Sequence, residues 1–278
     1  MAGTLFLVGT PIGNLADLSE RARETLARAD VIAAEDTRRT GRLLASLGLP
    51  KRAIVSNFDG NERERVGELL ARLRDGASVA LVTDGGMPSV SDPGYRLVAA
   101  ALDAGIDVRV VPGPSAAIAA LVASGLPTDR FVFEGFWPRT RSARVARMRA
   151  LASEPRTIVA FESPKRVRAT LADVVDTLGD REVALARELT KLHEEILRGR
   201  ASAVLALLGG VDPKGELVLV LRGAPAGAAS AGAAADDLAE ARRLIGLGLR
   251  PRDAAKEVAR RSGASANALY EALTSDDA

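Results

Sequence analysis

The sequence predicts an α/β protein: two α/β domains with mostly parallel or mixed sheets, followed by a small C-terminal helical appendage. Three observations predict it. Short apolar runs alternate with longer segments whose apolar residues recur at helical spacing. That alternation forms two series, parted near residues 113 to 128. Beyond residue 235 only helical patterns remain. The length of 278 residues suits about two domains at roughly 150 residues each.

The first series opens with Thr4 to Gly9, a continuous apolar run that reads as a buried strand. Leu18 to Ala29 reads as a helix, Val31 to Asp36 as a strand, and Arg38 to Leu47 as a helix stopped by Gly48 and Pro50. Ala53 to Asn57, Ser78 to Asp84 and Asp107 to Pro112 complete the strands, with helices over Asn61 to Asp75 and Asp92 to Ala104. In the second series the strands are Arg130 to Phe136, Arg156 to Ser163, Glu182 to Glu188 and Glu216 to Arg222. Helices fall over Arg141 to Ser153, Pro164 to Leu178 and Ala201 to Leu208, with Pro164 placed at the first helical position. Low-complexity Ala224 to Ala235 reads as a flexible linker. Three short helices follow, over Asp236 to Leu244, Pro251 to Arg261 and Ser265 to Leu273. They read as a small bundle, although the Ser262-Gly263 turn has helix-turn-helix spacing. The domains are therefore placed at 1–115 and 116–224, with a linker at 225–235 and a helical domain at 236–278.

Composition narrows the function. There is no cysteine and one histidine, His193, which excludes disulfides, thiolate catalysis and cysteine-held metal centres. No metal site is expected. No run of 18 apolar residues and no basic leader before an apolar segment occurs, so no membrane partner and a cytoplasmic location are expected. Lys+Arg number 38 against 36 Asp+Glu, a formal charge of +2. The balance is uneven along the chain. From Arg139 to Arg168 there are nine basic and two acidic residues, a net +7, so the remainder sums to −5.

The chemistry-bearing residues cluster after strands. Gly9 to Leu15 (GTPIGNL) follows the first strand, and its glycines let a ligand approach the main chain. It lacks the G-x-G-x-x-G spacing, and no P-loop motif occurs, so neither a dinucleotide fold nor an NTPase has direct support, although Glu35 and Asp36 mimic a ribose-binding acid. Thr83 to Gly94 (TDGGMPSVSDPG) packs two aspartates, three serine or threonine hydroxyls, and paired glycines and prolines into one loop after the fourth strand. Open α/β sheets bind ligands at such strand ends. Val111 to Ala116 (VPGPSA), Phe161 to Arg166 (FESPKR) and Ala186 to Glu195 (ARELTKLHEE) occupy the same kind of position.

Taken together with Ala34 to Arg38 (AEDTR), these segments, in this order and spacing, resemble the tetrapyrrole-methylase superfamily and, within it, the ribosomal RNA small-subunit methyltransferase I branch. The resemblance covers about residues 3 to 223. Gly85-Gly86 and Met87 depart mildly from the family pattern of Ala-Gly and Thr. The resemblance implies S-adenosylmethionine as cofactor in a cleft between the domains, a homodimer, and a 16S rRNA substrate in the small ribosomal subunit. The reaction it implies is methylation of a cytidine 2′-oxygen in the decoding region. Carried over by motif, the cofactor contacts are Pro11, Asp84, Gly85, Met87, Pro88, Ser115 and Ala116, with Ser163 from the second domain.

A ribose hydroxyl is a weak acid, so a proton acceptor is expected. Asp36, Glu188 and Lys191 are the candidates, Lys191 only with a lowered pKa. An RNA substrate calls for a basic surface. Arg139, Arg141, Arg144, Arg147, Lys165 and Arg166 are its candidate contacts, with Phe136 and Trp137 as base-stacking groups or as core. Methylation of a tetrapyrrole or protein in the same fold, and a non-catalytic ribosome-binding protein, remain the alternatives.

Overall fold

A computed structural model describes residues 2–210, 213, 215–225, 228–262 and 264–275, with backbone alone for 228–236. The first domain places strands β1 (Thr4–Val8), β2 (Val31–Ala34), β3 (Ala53–Ser56), β4 (Val79–Val82) and β5 (Asp107–Val111) in one sheet, order β3-β2-β4-β1-β5. Every pairing is parallel. Central strands β2 and β4 are buried throughout, because helices cover both faces. Helices α1 (Glu20–Arg28) and α2 (Thr37–Ser46) lay Ala22, Leu26 and Leu44 on one face. Helices α3 (Glu62–Arg74) and α4 (Tyr95–Asp103) lay Leu69, Leu73, Leu97 and Ala101 on the other. Burying each such leucine contributes about 1.5–3 kcal/mol. The chain thus leaves adjacent strands β1 and β4 toward opposite faces, which opens a crevice at their C-terminal ends.

Helix α5 (Ala116–Ala123) is nearly all apolar and belongs to the second domain, where Ala117, Ala120 and Leu121 pack on the second sheet. That sheet holds β6 (Phe131–Phe136), β7 (Thr157–Glu162), β8 (Glu182–Arg187), β9 (Glu195–Arg200) and β10 (Leu217–Leu221), order β6-β7-β10-β8-β9. It is mixed: β6 and β7 are parallel, and the other three pairings are antiparallel. Its other face buries Trp137 and side chains of α6 (Arg141–Ala150), α7 (Val167–Leu178) and α8 (Ala201–Leu207).

Several expectations from the sequence are corrected by the fold. Strand β9 has no counterpart among the expected strands. It is an edge strand whose Ile196 and Leu197 face opposite cores, so its six residues show little hydrophobicity. Pro164 is not in α7: residues 164–166 form a turn in which Arg166 N and Val167 N donate to the Ser163 carbonyl. Asp92 lies in a loop, since α4 begins at Tyr95. The expected flexible linker at 225–235 is largely helix, because α9 runs over Ala228–Gly246. Alanine is the strongest helix former, so a run of it is poor evidence for a flexible chain. Helix α9 joins α10 (Pro251–Ser262) and α11 (Ala266–Ser275) around a core of Ala241, Ala254, Ala255, Val258 and Leu269. The turn glycine Gly263 lies outside the described residues. Among the described residues, no helix is long and apolar enough to cross a membrane.

Candidate active site

The loops at the C-terminal ends of the first sheet meet the second domain across a cleft of about 590 Å3. Three loops are knitted together at its floor. Gly9 N donates to the Val111 carbonyl at 2.9 Å. Thr10 and Gly86 exchange backbone hydrogen bonds at 2.9 and 3.0 Å. The buried Thr10 hydroxyl donates to the Thr83 carbonyl at 3.1 Å. The first glycine of GTPIGNL permits this closeness. Gly9 and Gly113 press backbone on backbone, and a Cβ on Gly9 would lie 2.6 Å from Gly113 Cα.

Acidic groups crowd the first-domain wall. Glu35, Asp84 and Asp92 all line the cleft. Glu35 accepts from the Thr83 hydroxyl at 2.7 Å, and Arg39 pairs with Asp84 at 3.2 Å. Burial, then the charge of Glu35, raises the Asp84 pKa against the pull of Arg39. Burial pushes Asp92 up to about 6; Glu35, Asp84 and Asp59 add to the rise, and a hydrogen bond with Thr83 opposes it. The remaining walls are mostly apolar: Ile12, Met87, Phe136, Phe161, Leu189 and Val218.

Two loops hold backbone strain. Ser89 and Ser91, and Glu188 and Thr190, are the non-glycine residues with positive φ among the described residues, at 51 to 70°. Each costs on the order of 1–2 kcal/mol, and such residues concentrate at functional sites. The two loops bracket the cleft. The Lys191 stem crosses to the first domain, where a Cβ on Gly13 would lie 2.4 Å from Lys191 Cγ.

Of the expected cofactor contacts, Pro11, Asp84, Gly85, Met87, Ser115, Ala116 and Ser163 line this cleft. Pro88 is buried and does not line it. Ser115 also N-caps α5, accepting from Ile118 N. The proton-acceptor candidates fare differently. Asp36 N-caps α2 and pairs with Arg38 at 3.2 Å, outside the cleft lining. Hydrogen bonds from the Arg38 side chain and backbone hold its pKa down to about 2. Lys191 lines the cleft but pairs with Glu188 at 2.9 Å and Glu216 at 3.2 Å. Burial opposes its charge, yet those hydrogen bonds outweigh it and raise its pKa, contrary to the lowered value a base needs. The same pairing lowers the pKa of Glu188, which is also outside the lining.

The arginine patch is largely neutralised. Arg144 is 4% exposed and pairs with Asp173, 3% exposed, at 2.6 Å. Arg141 pairs with Asp173 and Asp176, Arg147 with Glu134, and Arg166 with Glu162. Of the candidates, Arg139 and Lys165 are exposed and have no carboxylate partner among the described residues. Trp137 is core at 1% exposure, whereas Phe136 is 57% exposed and rests against Phe161.

Sequence reasoning did not assign Glu35, Arg39, Asp92, or Glu216 to Val218 to the site. The last were hidden by strand direction. Because β10 runs antiparallel to β7, its N-terminal end reaches the cleft, where a parallel strand would present its C-terminal end.

Known proteins extend the picture. Residues 4–205 match the model for Tetrapyrrole (Corrin/Porphyrin) Methylases. The chain is 50% identical over 225 residues to a protein named ribosomal RNA small subunit methyltransferase I from Micromonospora olivasterospora, covering 81% of this chain and 72% of that one. It is 46% identical over 275 residues to the protein of the same name from Mycobacterium tuberculosis, covering 98% and 95%. Among solved structures it resembles uroporphyrin-III C-methyltransferase from Thermus thermophilus in complex with S-adenosylhomocysteine, at TM-score 0.55 and 25% identity over 79% of this chain and 97% of that one. By these matches the chain belongs to the tetrapyrrole (corrin/porphyrin) methylase family, within its ribosomal RNA small subunit methyltransferase I branch.

Proposed function

We propose that this methyltransferase uses S-adenosylmethionine to methylate the ribose 2′-oxygen of a cytidine in the decoding region of 16S rRNA, within the small ribosomal subunit. The observation that carries the reading is the cleft between the two sheets, where the motifs of the family converge. Its volume lies within the range of about 300–1,000 Å3 usual for small-molecule sites. Its apolar wall suits an adenine ring, and the three carboxylates of its first-domain wall suit a cation. The cofactor supplies a methyl group bonded to positively charged sulfur. Pro11, Asp84, Gly85, Met87, Ser115, Ala116 and Ser163 are the residues assigned to hold it; Pro88, buried in the same loop, is not. The reading also places the enzyme in the cytoplasm as a homodimer. Ile118 and Val122, one turn apart on α5, and Val110 on edge strand β5 are exposed apolar side chains that support a second copy.

The protein must align the acceptor oxygen and receive its proton. Alignment alone supplies up to about 7–11 kcal/mol in favourable cases. Asp36, Glu188 and Lys191 are committed to ion pairs of their own. Asp92 lines the cleft, and its proton affinity lies near neutral pH, where a general base works best. We assign it the role of proton acceptor. Its pKa is raised, so the accepting form is lost as pH falls through about 6. The wild-type rate therefore has an acidic limb near that value, and Asp92→Asn lowers the rate about 100-fold and removes the limb. A pH–rate profile that is the same for both proteins refutes the assignment. The sign for stability is opposite: ionised Asp92 destabilises the fold above pH 6, and the loss is recovered as pH falls toward 4.

The function itself is tested with small subunits from a strain lacking the modification. Wild-type protein and labelled S-adenosylmethionine should yield one 2′-O-methylcytidine on nuclease digestion. Label in a ribosomal protein, in an added tetrapyrrole, or nowhere overturns the reading.

A further inference from the structure

We propose that Arg38, Arg39 and Arg42 on α2 form the phosphate-binding rim that holds the RNA backbone beside the acceptor nucleotide. This rests on the rRNA reading above and assigns it a surface the sequence did not indicate. Steps of one, three and four residues put the three guanidiniums within one arc of about 100° on the helix. They line a concave surface of about 460 Å3 whose fourth lining residue is Asp36. Three cations there meet two carboxylates, Asp36 beside Arg38 and Asp84 beside Arg39. Arg39 lines this concavity and the cleft alike, so the two are continuous.

The charges are available. Arg42 is exposed and has no carboxylate partner among the described residues. Arg38 is 87% exposed beyond its contact with Asp36, and Arg39 keeps more than half of its side chain in solvent. On α6, by contrast, Arg141, Arg144 and Arg147 are each paired with a carboxylate and Arg144 is buried, whereas Arg42 is unpaired among the described residues. On the second-domain side, Phe136 ends β6 and lines the cleft, where its ring can stack a base, and the exposed cations Arg139 and Lys165 follow β6 and β7 in the chain. All three rim residues are arginines, whose planar fork makes paired hydrogen bonds to a phosphate as it does to a carboxylate. Continuity with the cleft assigned to the acceptor ribose makes the nucleic-acid backbone the occupant.

The test compares full-length wild type, Arg42→Ala, Arg42→Glu and the double variant Arg38→Ala/Arg42→Ala, with Arg109→Ala on β5 as a control. Binding to a fluorescent decoding-region RNA is measured across a salt series, and methyl transfer to small subunits in parallel. Far-ultraviolet circular dichroism and affinity for S-adenosylhomocysteine verify that the fold and cofactor cleft are intact. Arg42→Ala should raise the RNA Kd and the KM for subunits about 3- to 10-fold, and Arg42→Glu more, with cofactor affinity unchanged. The slope of log affinity against log salt should shrink by about one for each guanidinium–phosphate pair removed. Wild-type behaviour of Arg42→Glu in Kd, KM and slope overturns the rim. A rise in KM for subunits with unchanged RNA binding and slope also overturns it, in favour of a protein partner. The two readings fail separately. If wild type transfers no methyl group but Arg42→Glu weakens RNA binding, the rim stands and the rRNA reading falls. If wild type transfers and Arg42→Glu matches it, the rim alone falls.

Discussion

Arg144→Ala should destabilise the second domain by about 3–5 kcal/mol, the usual consequence of stripping one partner from a buried ion pair. Asp173, on α7, is almost fully buried and accepts two hydrogen bonds from Arg144, at 2.9 and 2.6 Å. Its other partner, Arg141, approaches from the solvent side at 2.8 Å and is 70% exposed. Alanine leaves a buried carboxylate held by one solvated arginine and a void between α6 and α7. At roughly 2–4 °C per kcal/mol for a chain of this size, the melting temperature should fall by about 10 °C. Thermal and urea denaturation measure it. Removing both charges by Arg144→Met with Asp173→Leu should recover much of the loss, since an apolar pair of similar volume needs no compensating charge. An Arg144→Ala protein as stable as wild type, with weakened RNA binding, would restore the solvent-facing role that its place in the arginine-rich segment suggests.

Gly9→Ala should abolish cofactor binding to within the limits of calorimetry, a loss of at least ~100-fold, or about 2.7 kcal/mol. The added Cβ would meet Gly113 Cα and N at 2.6 Å and Met87 Sδ at 2.8 Å. The first two are backbone atoms, so no rotamer change relieves the clash. The exits of β1 and β5 must separate, which displaces Pro11, Ser115 and Met87 together. Gly67→Ala on α3 is the contrast. Its Cβ would meet nothing within 4 Å, and alanine in a helix interior is worth about 0.5–1 kcal/mol over glycine. Titration with S-adenosylhomocysteine separates the two. An affinity for Gly9→Ala within about twofold of wild type would show that the loops yield more easily than their hydrogen bonds imply.

What sequence reading recovers and misses here follows the range of the interactions. The central strands of the first sheet are legible because β2 and β4 are continuous apolar runs, and the C-terminal loops are legible because a parallel sheet sends every ligand-facing loop to one end. The second sheet breaks that rule through β10, so Glu216 to Val218 are invisible to it. Strand β9 escapes because an edge strand shares its few apolar residues between two cores. The arginine-rich segment misleads for a different reason. Its charge is real, but Glu134, Asp173 and Asp176 lie outside it and reach it only in the folded chain. Lys191 likewise reads as a candidate base until Glu216, 25 residues on, is seen to hold its proton. Asp92 stands in a motif that the sequence singles out. Its shifted proton affinity, however, depends on burial and on carboxylates that follow β2, β3 and β4.

The self-contained core of α9, α10 and α11 has an evolutionary consequence. A segment that buries its apolar residues against its own helices can be gained, lost or exchanged between lineages without repacking the catalytic body. Selection on methyl transfer and selection on whatever the tail touches are then free to act on separate pieces of one gene.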